Sequence, residues 1–428
     1  MSKFPRTAST RLALILSCGL ILVLVGLMFH GYSGRTLTEV LSYQVQDNWC
    51  DIKNEGVGSH CFGDFGLPYY RGLAKSAYSP GNYAAANTPL TAALFEALRI
   101  LPYNFSLFIY LLSLGASLFL PFLLMKSPTE LGTRMNLAVL SGLFSIGGIA
   151  VLDRGNHVAW LVPLLILFLW AVQHEKWRQA MFFLTVMSML KFWGLIFILV
   201  LLAKSRWREA IGSVFLTVFG SLGILALFPG KLSSSLDAML DMAGNRDYAN
   251  AVAGYSISLH SLVRRIDCLM TSSSWCNTRS QGSTFIGSSL LSMILAGLLS
   301  IICLLLVRGG APTIIWSASI ISLGFLAVPE APAYNLALVS AIVVLICVLP
   351  EPDRAGPWRF SSSALLIAVT VSTIPVTYFS THTSRFVLGN GDTPGIFRSD
   401  YWTTPIVWVF FLGASCHGLI RSKFLDNH

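Results

Sequence analysis

The chain has 428 residues, of which 54% are hydrophobic and only 11% are charged, and its mean hydropathy is +0.67. Soluble domains carry about 25% charged residues, so this composition excludes an ordinary soluble enzyme and predicts an all-α polytopic membrane protein. The formal net charge is +9, but the Lys and Arg residues are spread over many loops and form no basic stripe, which argues against a nucleic-acid partner.

Apolar runs recur along the whole chain, and a run of about 18 residues is a candidate membrane span. The first run follows Lys3, Arg6 and Arg11. It is too long for a signal peptide and no small-residue cleavage site follows it, so we interpret it as an uncleaved helix. We predict 12 membrane segments, counting one broken span as two, with both termini in the cytoplasm. The predicted spans are 12–30, 105–125, 135–152, 158–172, 179–203 (broken), 211–228, 285–307, 312–328, 336–349, 361–379 and 405–420.

The span over 179–203 is predicted to break near Lys191. Basic loops flank both of its ends, and the positive-inside rule places both loops in the cytoplasm. A charge at mid-membrane is also costly unless it lines a cavity. Two short helices that meet at Lys191 and Gly194 satisfy both conditions, because the turn between them then faces a polar cavity reached from outside. The alternative is one tilted helix whose lysine snorkels to the interface.

Two long polar segments fall on the predicted outer side of the membrane. The first, 31–102, includes an amphipathic stretch over 93–101 that we expect to lie in the interface. The second is the large loop 229–284. The whole chain, 1–428, is interpreted as one integral membrane domain.

Each outer segment contains one pair of cysteines. We expect the disulfides Cys50–Cys61 and Cys268–Cys276, because disulfides persist outside the cytosol. Neither pair has partners at the spacing of a zinc site, so no metal is predicted.

The predicted topology brings a set of polar side chains to the outer face. A carboxylate beside cations and tyrosines suits sugar transfer from a lipid phosphate: the carboxylate accepts a proton from the acceptor hydroxyl, and the cations stabilise the phosphate leaving group. No metal or other cofactor is needed for this chemistry. Asp64 is the candidate general base. The candidate substrate-binding residues are Lys191, Arg264, Arg265, His260, Asn156, His157, Tyr69, Tyr70, Arg154 and Tyr334.

Four blocks, in this order, resemble the GT-C superfamily of glycosyltransferases. Within that superfamily the chain resembles the polyprenol-phosphate-mannose-dependent α-mannosyltransferases of actinobacterial envelopes. The first block has an Asp, then Tyr and Pro; the second has a polar Gly-Asn turn; the third has a Lys at a helix end before a basic loop; the fourth has Tyr-Ser before Arg. The blocks are 63–70 with 88–90, 153–157, 190–194 with 204–208, and 255–265.

The resemblance implies a GT-C fold and an inverting transfer of a mannose-like sugar to a glycolipid or cell-envelope glycan at the outer face of a bacterial plasma membrane. It maps the catalytic base onto Asp64 and the phosphate ligands onto Lys191 and Arg264 or Arg265. The chain departs from the family pattern in three places. Gly194 stands where Pro is usual, Asn87-Thr88-Pro89 replaces a Tyr-Pro-Pro run, and 332–335 lacks a His.

Other readings of these residues stay open on the sequence alone. Asp51 beside Cys50 is an alternative base. Asn156 and His157 also fit as caps of the helix that starts near 158, and Tyr69 and Tyr70 fit an interfacial aromatic belt. An arabinofuranosyltransferase using polyprenyl-phosphate arabinose is an alternative enzyme. A lipid or solute transporter or flippase is the alternative of another class, because broken helices also occur there.

Overall fold

A computed structural model describes ten ranges of the chain, and every regular element in these ranges is a helix, as the composition predicts. The described residues are 8–31, 62–71, 88–228, 231–237, 257–259, 261–263, 285–327, 333–349, 356–374 and 400–426.

The helices follow the apolar runs closely. The first part of the chain contains α1 (Ala8–Gly31), α2 (Gly63–Arg71), α3 (Pro89–Leu98), α4 (Tyr103–Leu124), α5 (Leu131–Leu137, continued by a π-helical segment, Ala138–Leu143), α6 (Ile146–Arg154), a 3-10 turn (His157–Trp160), α7 (Leu161–Gln173), α8 (Trp177–Leu190), a 3-10 segment (Phe192–Phe197), α9 (Ile198–Ala203) and α10 (Trp207–Leu225). The remainder contains α11 (Phe285–Arg308), α12 (Thr313–Leu326), a 3-10 turn (Ala333–Ala337), α13 (Leu338–Val348), α14 (Arg359–Thr373) and α15 (Asp400–Asp426).

Backbone contacts divide the chain into two compact units. The first unit comprises Met1–Val45, Phe119–Gly148 and Asp247–His428, and the second comprises Gln46–Leu118 and Ile149–Arg246. The first unit is built around α12 and α13, two apolar helices with almost every residue buried. In the second unit, α3 packs against α2, α8 and α10.

The predicted span over 135–152 is bent, not straight. Helix α5 and its π-helical continuation meet α6 at 59°. The Ser145 hydroxyl accepts a hydrogen bond from the Gly148 amide at 2.9 Å, so it caps a new helix at this point. The glycines around the bend lower the helix propensity further. An apolar run carries no signal for such a break, which is why the sequence predicted one continuous helix.

The predicted break near Lys191 is confirmed. Helix α8 ends at Leu190, Lys191 has extended backbone angles (φ −148°, ψ 117°), and a 3-10 segment leads into α9. A single tilted helix through this region is therefore wrong.

Three described helices are long and apolar enough to cross a membrane, and the bent pair of α5 and α6 would be a fourth. The three spans are Tyr103–Leu124, Trp207–Leu225 and Thr403–Lys423. Most other apolar helices have 10–17 residues. The twelve predicted segments are thus not all confirmed, although the described helices support association with a membrane.

Helix α10 shows most clearly that the surrounding medium is apolar. Its buried face carries Ser213 and Thr217, which are almost inaccessible, whereas Ile211, Phe215 and Phe219 are more than half exposed. A helix on the surface of a water-soluble protein has the reverse pattern. Small and hydroxyl side chains at helix contacts, with large apolar ones outside, are typical of membrane helices. The pattern of α10 therefore supports association with a membrane, and we expect its exposed face to contact lipid.

We predict that Phe215→Asp, near the middle of α10, lowers the amount of protein recovered in membranes, because an acidic side chain at the centre of a membrane helix costs about 2.5–3.5 kcal/mol. Trp207→Asp is the matched control: both side chains are 56% exposed, but Trp207 begins the helix, where a carboxylate is favourable. The measurement is the carbonate-resistant membrane fraction after expression. Equal recovery of the two variants would contradict a lipid-facing surface.

Candidate functional site

Asp64 lies in the first turn of α2, the short helix that follows Phe62. The amides of Phe65 and Gly66 both donate to the Phe62 carbonyl, at 2.9 and 2.7 Å, and close this turn. The first turn of a helix has unpaired N–H groups and a positive end of the helix dipole, so a carboxylate is favourable there.

Phe65, the neighbour of Asp64, packs α2 against other helices of the second unit. Its side chain is fully buried and stacks on Tyr110 with ring centroids 4.7 Å apart, while Phe95 lies edge-on at 6.0 Å. Aromatic contacts of this kind contribute about 0.5–1.5 kcal/mol each. Because Phe65 points into this cluster, the side chain of Asp64 is directed along a different face of the same turn.

Two side chains bind the Asp64 carboxylate, one on each oxygen. Arg154 Nη2 donates to Oδ1 at 3.0 Å, and Asn156 Nδ2 donates to Oδ2 at 2.5 Å. The side chains of Asp64 and Arg154 are 23% and 20% exposed, so the ion pair is partly shielded but reachable. Each carboxylate oxygen has two lone pairs. These two hydrogen bonds, which we call the clasp, leave one lone pair on each oxygen.

Gly155 makes this arrangement possible. Its φ is +64°, and a Cβ at this position would meet Phe62 and Phe65 at 3.3–3.4 Å. The Tyr110 hydroxyl donates to the Gly155 carbonyl at 2.8 Å. The left-handed turn therefore lets Arg154, at the end of α6, and Asn156, before the next helix, reach the same carboxylate.

Lys191 enters the same region from the broken helix. The hydroxyls of Thr88 and Thr91 both donate to the Leu190 carbonyl, at 3.0 and 2.9 Å, and so hold the end of α8 against the start of α3. The Lys191 ammonium is close enough to interact electrostatically with both Asp64 and Arg154. We call Asp64, Arg154, Asn156 and Lys191 the Asp64 cluster. Among the described side chains it contains one carboxylate and two cations, a balance that favours an anionic ligand.

His157 lies next to the Asp64 cluster and is almost completely buried. Its imidazole contacts the backbone of Leu190, and the Lys191 charge acts on it. The rings of Phe95 and Trp160 lie within 6.3 Å of it, centroid to centroid. The sequence predicted His157 as a substrate ligand or a cap; it begins the 3-10 turn, and the cap is its neighbour Asn156.

Tyr69 makes contacts that hold α2 in place. Its hydroxyl donates to the Leu101 carbonyl at 2.6 Å and its ring packs edge-on against Tyr103. Tyr69 thus ties α2 to the connection between α3 and α4. Tyr70 belongs to the same helix, and its side chain lies outside the described parts. Tyr334 lies in the 3-10 turn of the first unit.

Several predicted residues fall outside the described ranges. They include the alternative base Asp51 and, in the large loop, His260, Arg264 and Arg265, as well as both predicted disulfides, Cys50–Cys61 and Cys268–Cys276. These assignments stay predictions. Within the described residues, no group of three or more His, Cys, Asp or Glu side chains is placed to hold a metal ion.

Sequence reasoning did not find the contacts that fix the cluster. Thr88 followed by Pro89 is a helix-start signal, with an N-cap hydroxyl and Pro at the first helical position, and it does begin α3. No sequence pattern indicated that Thr88 and Thr91 donate to the Leu190 carbonyl, because Leu190 lies about a hundred residues away. Tyr110 also had none, since it lies inside a long apolar run.

The chain was compared with known proteins. No protein-family model, no curated protein and no solved structure matches it. Its function is therefore inferred from the geometry of the Asp64 cluster and from the apolar character of the chain.

We expect Gly155→Ala to lower the stability of the protein by about 1–2 kcal/mol, because a left-handed backbone conformation is costly for a residue with a Cβ. The measurement is thermal unfolding of the purified protein in detergent. Gly115→Ala is the control, since a Cβ there meets nothing within 4 Å and Ala is favoured over Gly in a helix by about 0.5–1 kcal/mol. An unfolding midpoint unchanged by Gly155→Ala would contradict the strained turn.

Proposed function

We propose that this protein is a membrane glycosyltransferase that moves a sugar from a polyprenyl-phosphate donor to a hydroxyl of a glycolipid or envelope glycan. The observation that carries the proposal is the Asp64 cluster. A partly exposed carboxylate has two fixed donors and lies within electrostatic reach of Lys191, in a chain whose helices expose apolar side chains.

The proposed reaction uses the carboxylate as a general base and the cations as electrostatic stabilisers. The acceptor oxygen forms a bond to the anomeric carbon while its proton passes to Asp64. The bond between the anomeric carbon and the phosphate oxygen breaks, and the electron pair leaves with the polyprenyl phosphate. Lys191 and Arg154 neutralise the negative charge that develops on this leaving group. The chemistry needs no metal ion.

The lipid-facing helices support a membrane-held donor. A polyprenyl chain requires an apolar medium, and α10 exposes phenylalanines of the kind that contact lipid chains. The positive-inside distribution of Lys and Arg favours placing the reaction at the extracytoplasmic face. Arg264, Arg265 and His260 remain proposed as further ligands of the donor phosphate.

The resemblance of the four sequence blocks to those of mannosyltransferases favours a mannose-like sugar. A single displacement by the acceptor hydroxyl inverts the anomeric centre, so a β-linked donor gives an α-linked product. Polyprenyl-phosphate arabinose is the alternative donor, because the Asp64 cluster recognises the phosphate and the acceptor hydroxyl and is not specific for either sugar.

We predict that Asp64→Asn lowers transfer of labelled mannose from polyprenyl-phosphate mannose by about 10²- to 10⁴-fold, the usual contribution of a general base. The assay uses membranes containing the variant or the wild type. Glu96→Gln is the matched control, since Glu96 is a partly exposed carboxylate of the same unit that pairs with Arg99 at 2.7 Å. Normal transfer by Asp64→Asn would remove Asp64 from the mechanism, and transfer from a nucleotide sugar alone would rule out the lipid donor.

A transporter or flippase is the second candidate, and the interrupted helices favour it. The break at Lys191 and the 59° bend between α5 and α6 are features that transporters also use at their binding sites. Counterflow of a labelled polyprenyl phosphate in proteoliposomes, without formation of a glycosylated product, would favour this candidate over the transferase.

A further inference from the structure

Asn156 uses both ends of its side-chain amide. Its Oδ1 accepts a hydrogen bond from the Val158 amide at 3.0 Å and caps the turn that begins at His157. Its Nδ2 donates to Asp64 Oδ2 at 2.5 Å. The residue is only 4% exposed, so both bonds are made away from water.

The two bonds fix the orientation of the amide. A backbone N–H can only donate, so the oxygen of Asn156 must face Val158. A flipped amide would place two N–H donors against that N–H group and an oxygen against the Asp64 carboxylate. The helix cap thus determines which end of Asn156 meets Asp64, and the donor cannot turn away.

The backbone of Asn156 is fixed as well. Its own amide donates to the Val151 carbonyl at 3.0 Å. The preceding residue, Gly155, accepts the Tyr110 hydroxyl at 2.8 Å. The Asp64 carboxylate is therefore tied through Asn156 to the end of α6 and to α4.

Arg154 and Asn156 contribute differently to the carboxylate. Arg154 brings a charge on a long flexible side chain, and it can also reach an anionic ligand. Asn156 is neutral and nearly inaccessible, so it orients the Asp64 carboxylate without adding a charge. A bond on each oxygen sets the plane of the carboxylate, and with it the direction of the lone pair left for the acceptor hydroxyl.

We propose that Asn156 is a positioning residue for the transfer reaction, which aims the Asp64 carboxylate at the acceptor hydroxyl and does not itself bind substrate. This inference rests on the proposed function, because it requires Asp64 to act as the base. It replaces the prediction from sequence that Asn156 is a ligand of the substrate.

Comparison of Asn156→Ser with Asn156→Ala separates the effect of losing the helix cap from the effect of losing the hydrogen bond to Asp64. Serine keeps an N-cap oxygen but is too short to reach Asp64, whereas alanine loses both contacts. Loss of an N-cap oxygen destabilises the helix start. We expect kcat to fall about 10- to 100-fold in both variants, the size of effect caused by a misplaced catalytic group. The KM for polyprenyl-phosphate mannose should change by less than about threefold. The thermal midpoint should fall clearly only for Asn156→Ala.

The measurement is initial rates in detergent with labelled polyprenyl-phosphate mannose at varied concentration, together with thermal unfolding of the same preparations. A kcat of Asn156→Ser equal to that of the wild type would overturn the positioning role. If Asn156 acted only as a helix cap, serine would preserve that cap and kcat would not change. A large rise in KM at constant kcat would also overturn it, because Asn156 would then be a substrate ligand.

An exchange variant, Asp64→Asn with Asn156→Asp, tests direction more strictly. It keeps one carboxylate and one amide in contact, and Asp is as good an N-cap as Asn. The carboxylate, however, moves from position 64 to position 156. We expect a thermal midpoint below that of the wild type, because the carboxylate moves to a nearly buried position and Arg154 loses its ion-pair partner at position 64. We expect activity no higher than that of Asp64→Asn. Activity well above that of Asp64→Asn would contradict the inference.

The two hypotheses fail in different ways. No transfer from polyprenyl-phosphate mannose by the wild type would contradict the proposed function, and normal turnover in Asp64→Asn would remove Asp64 as its base. Loss of turnover in Asp64→Asn with normal turnover in Asn156→Ser would contradict only the positioning role.

Discussion

The Asp64 carboxylate is bonded on both oxygens to side chains that flank a single left-handed glycine, and the rest of the site depends on this clasp. The turn at Gly155 lets Arg154 and Asn156 converge. Tyr110 fixes the turn from α4, and Phe65 fixes the helix that carries Asp64. Three segments distant in the chain thus meet at one charged group. Their packing, more than the charge itself, determines where the carboxylate points.

Lys191 contributes a second cation to the proposed chemistry, and it comes from the break after α8. A lysine can occupy a broken helix because its neighbour Leu190 is bonded by two threonine hydroxyls, which replace the lost helical partner of that carbonyl. The resulting excess of cations over carboxylates suits a phosphate. The Asp64–Arg154 pair is partly shielded, so its charges interact more strongly than in water. This combination is the physical basis for proposing a lipid phosphate as the donor.

The sequence predicted the order of the helices well, because apolar runs report burial in protein or lipid directly. It also predicted the break at Lys191, since a charge between two basic loops leaves few other topologies. It did not predict the bend before α6, which depends on one serine cap. Apolar runs also do not separate membrane spans from buried helices, because α12 and α13 are buried in the first unit and are as apolar as a membrane helix.

The predicted topology places Asp64, Arg154, Asn156 and Lys191 on one face, and the structure brings these four residues together, but their contacts were not predicted. Which of them bind substrate and which bind each other could not be read from spacing, because Asp64 and its partners are about ninety residues apart. Tyr69 illustrates the same limit: an aromatic near the base suggests sugar stacking, yet its hydroxyl is bonded to the Leu101 carbonyl.

The central claim is that the Asp64 cluster binds the phosphate of a lipid-linked sugar beside the base. A density map of the protein with a non-transferable polyprenyl-phosphonate mannose analogue tests this directly. We predict that the phosphonate contacts Lys191 and Arg154, with the anomeric carbon facing the open side of the Asp64 carboxylate. Phosphonate density away from these three side chains, in a map that resolves them, would contradict the claim.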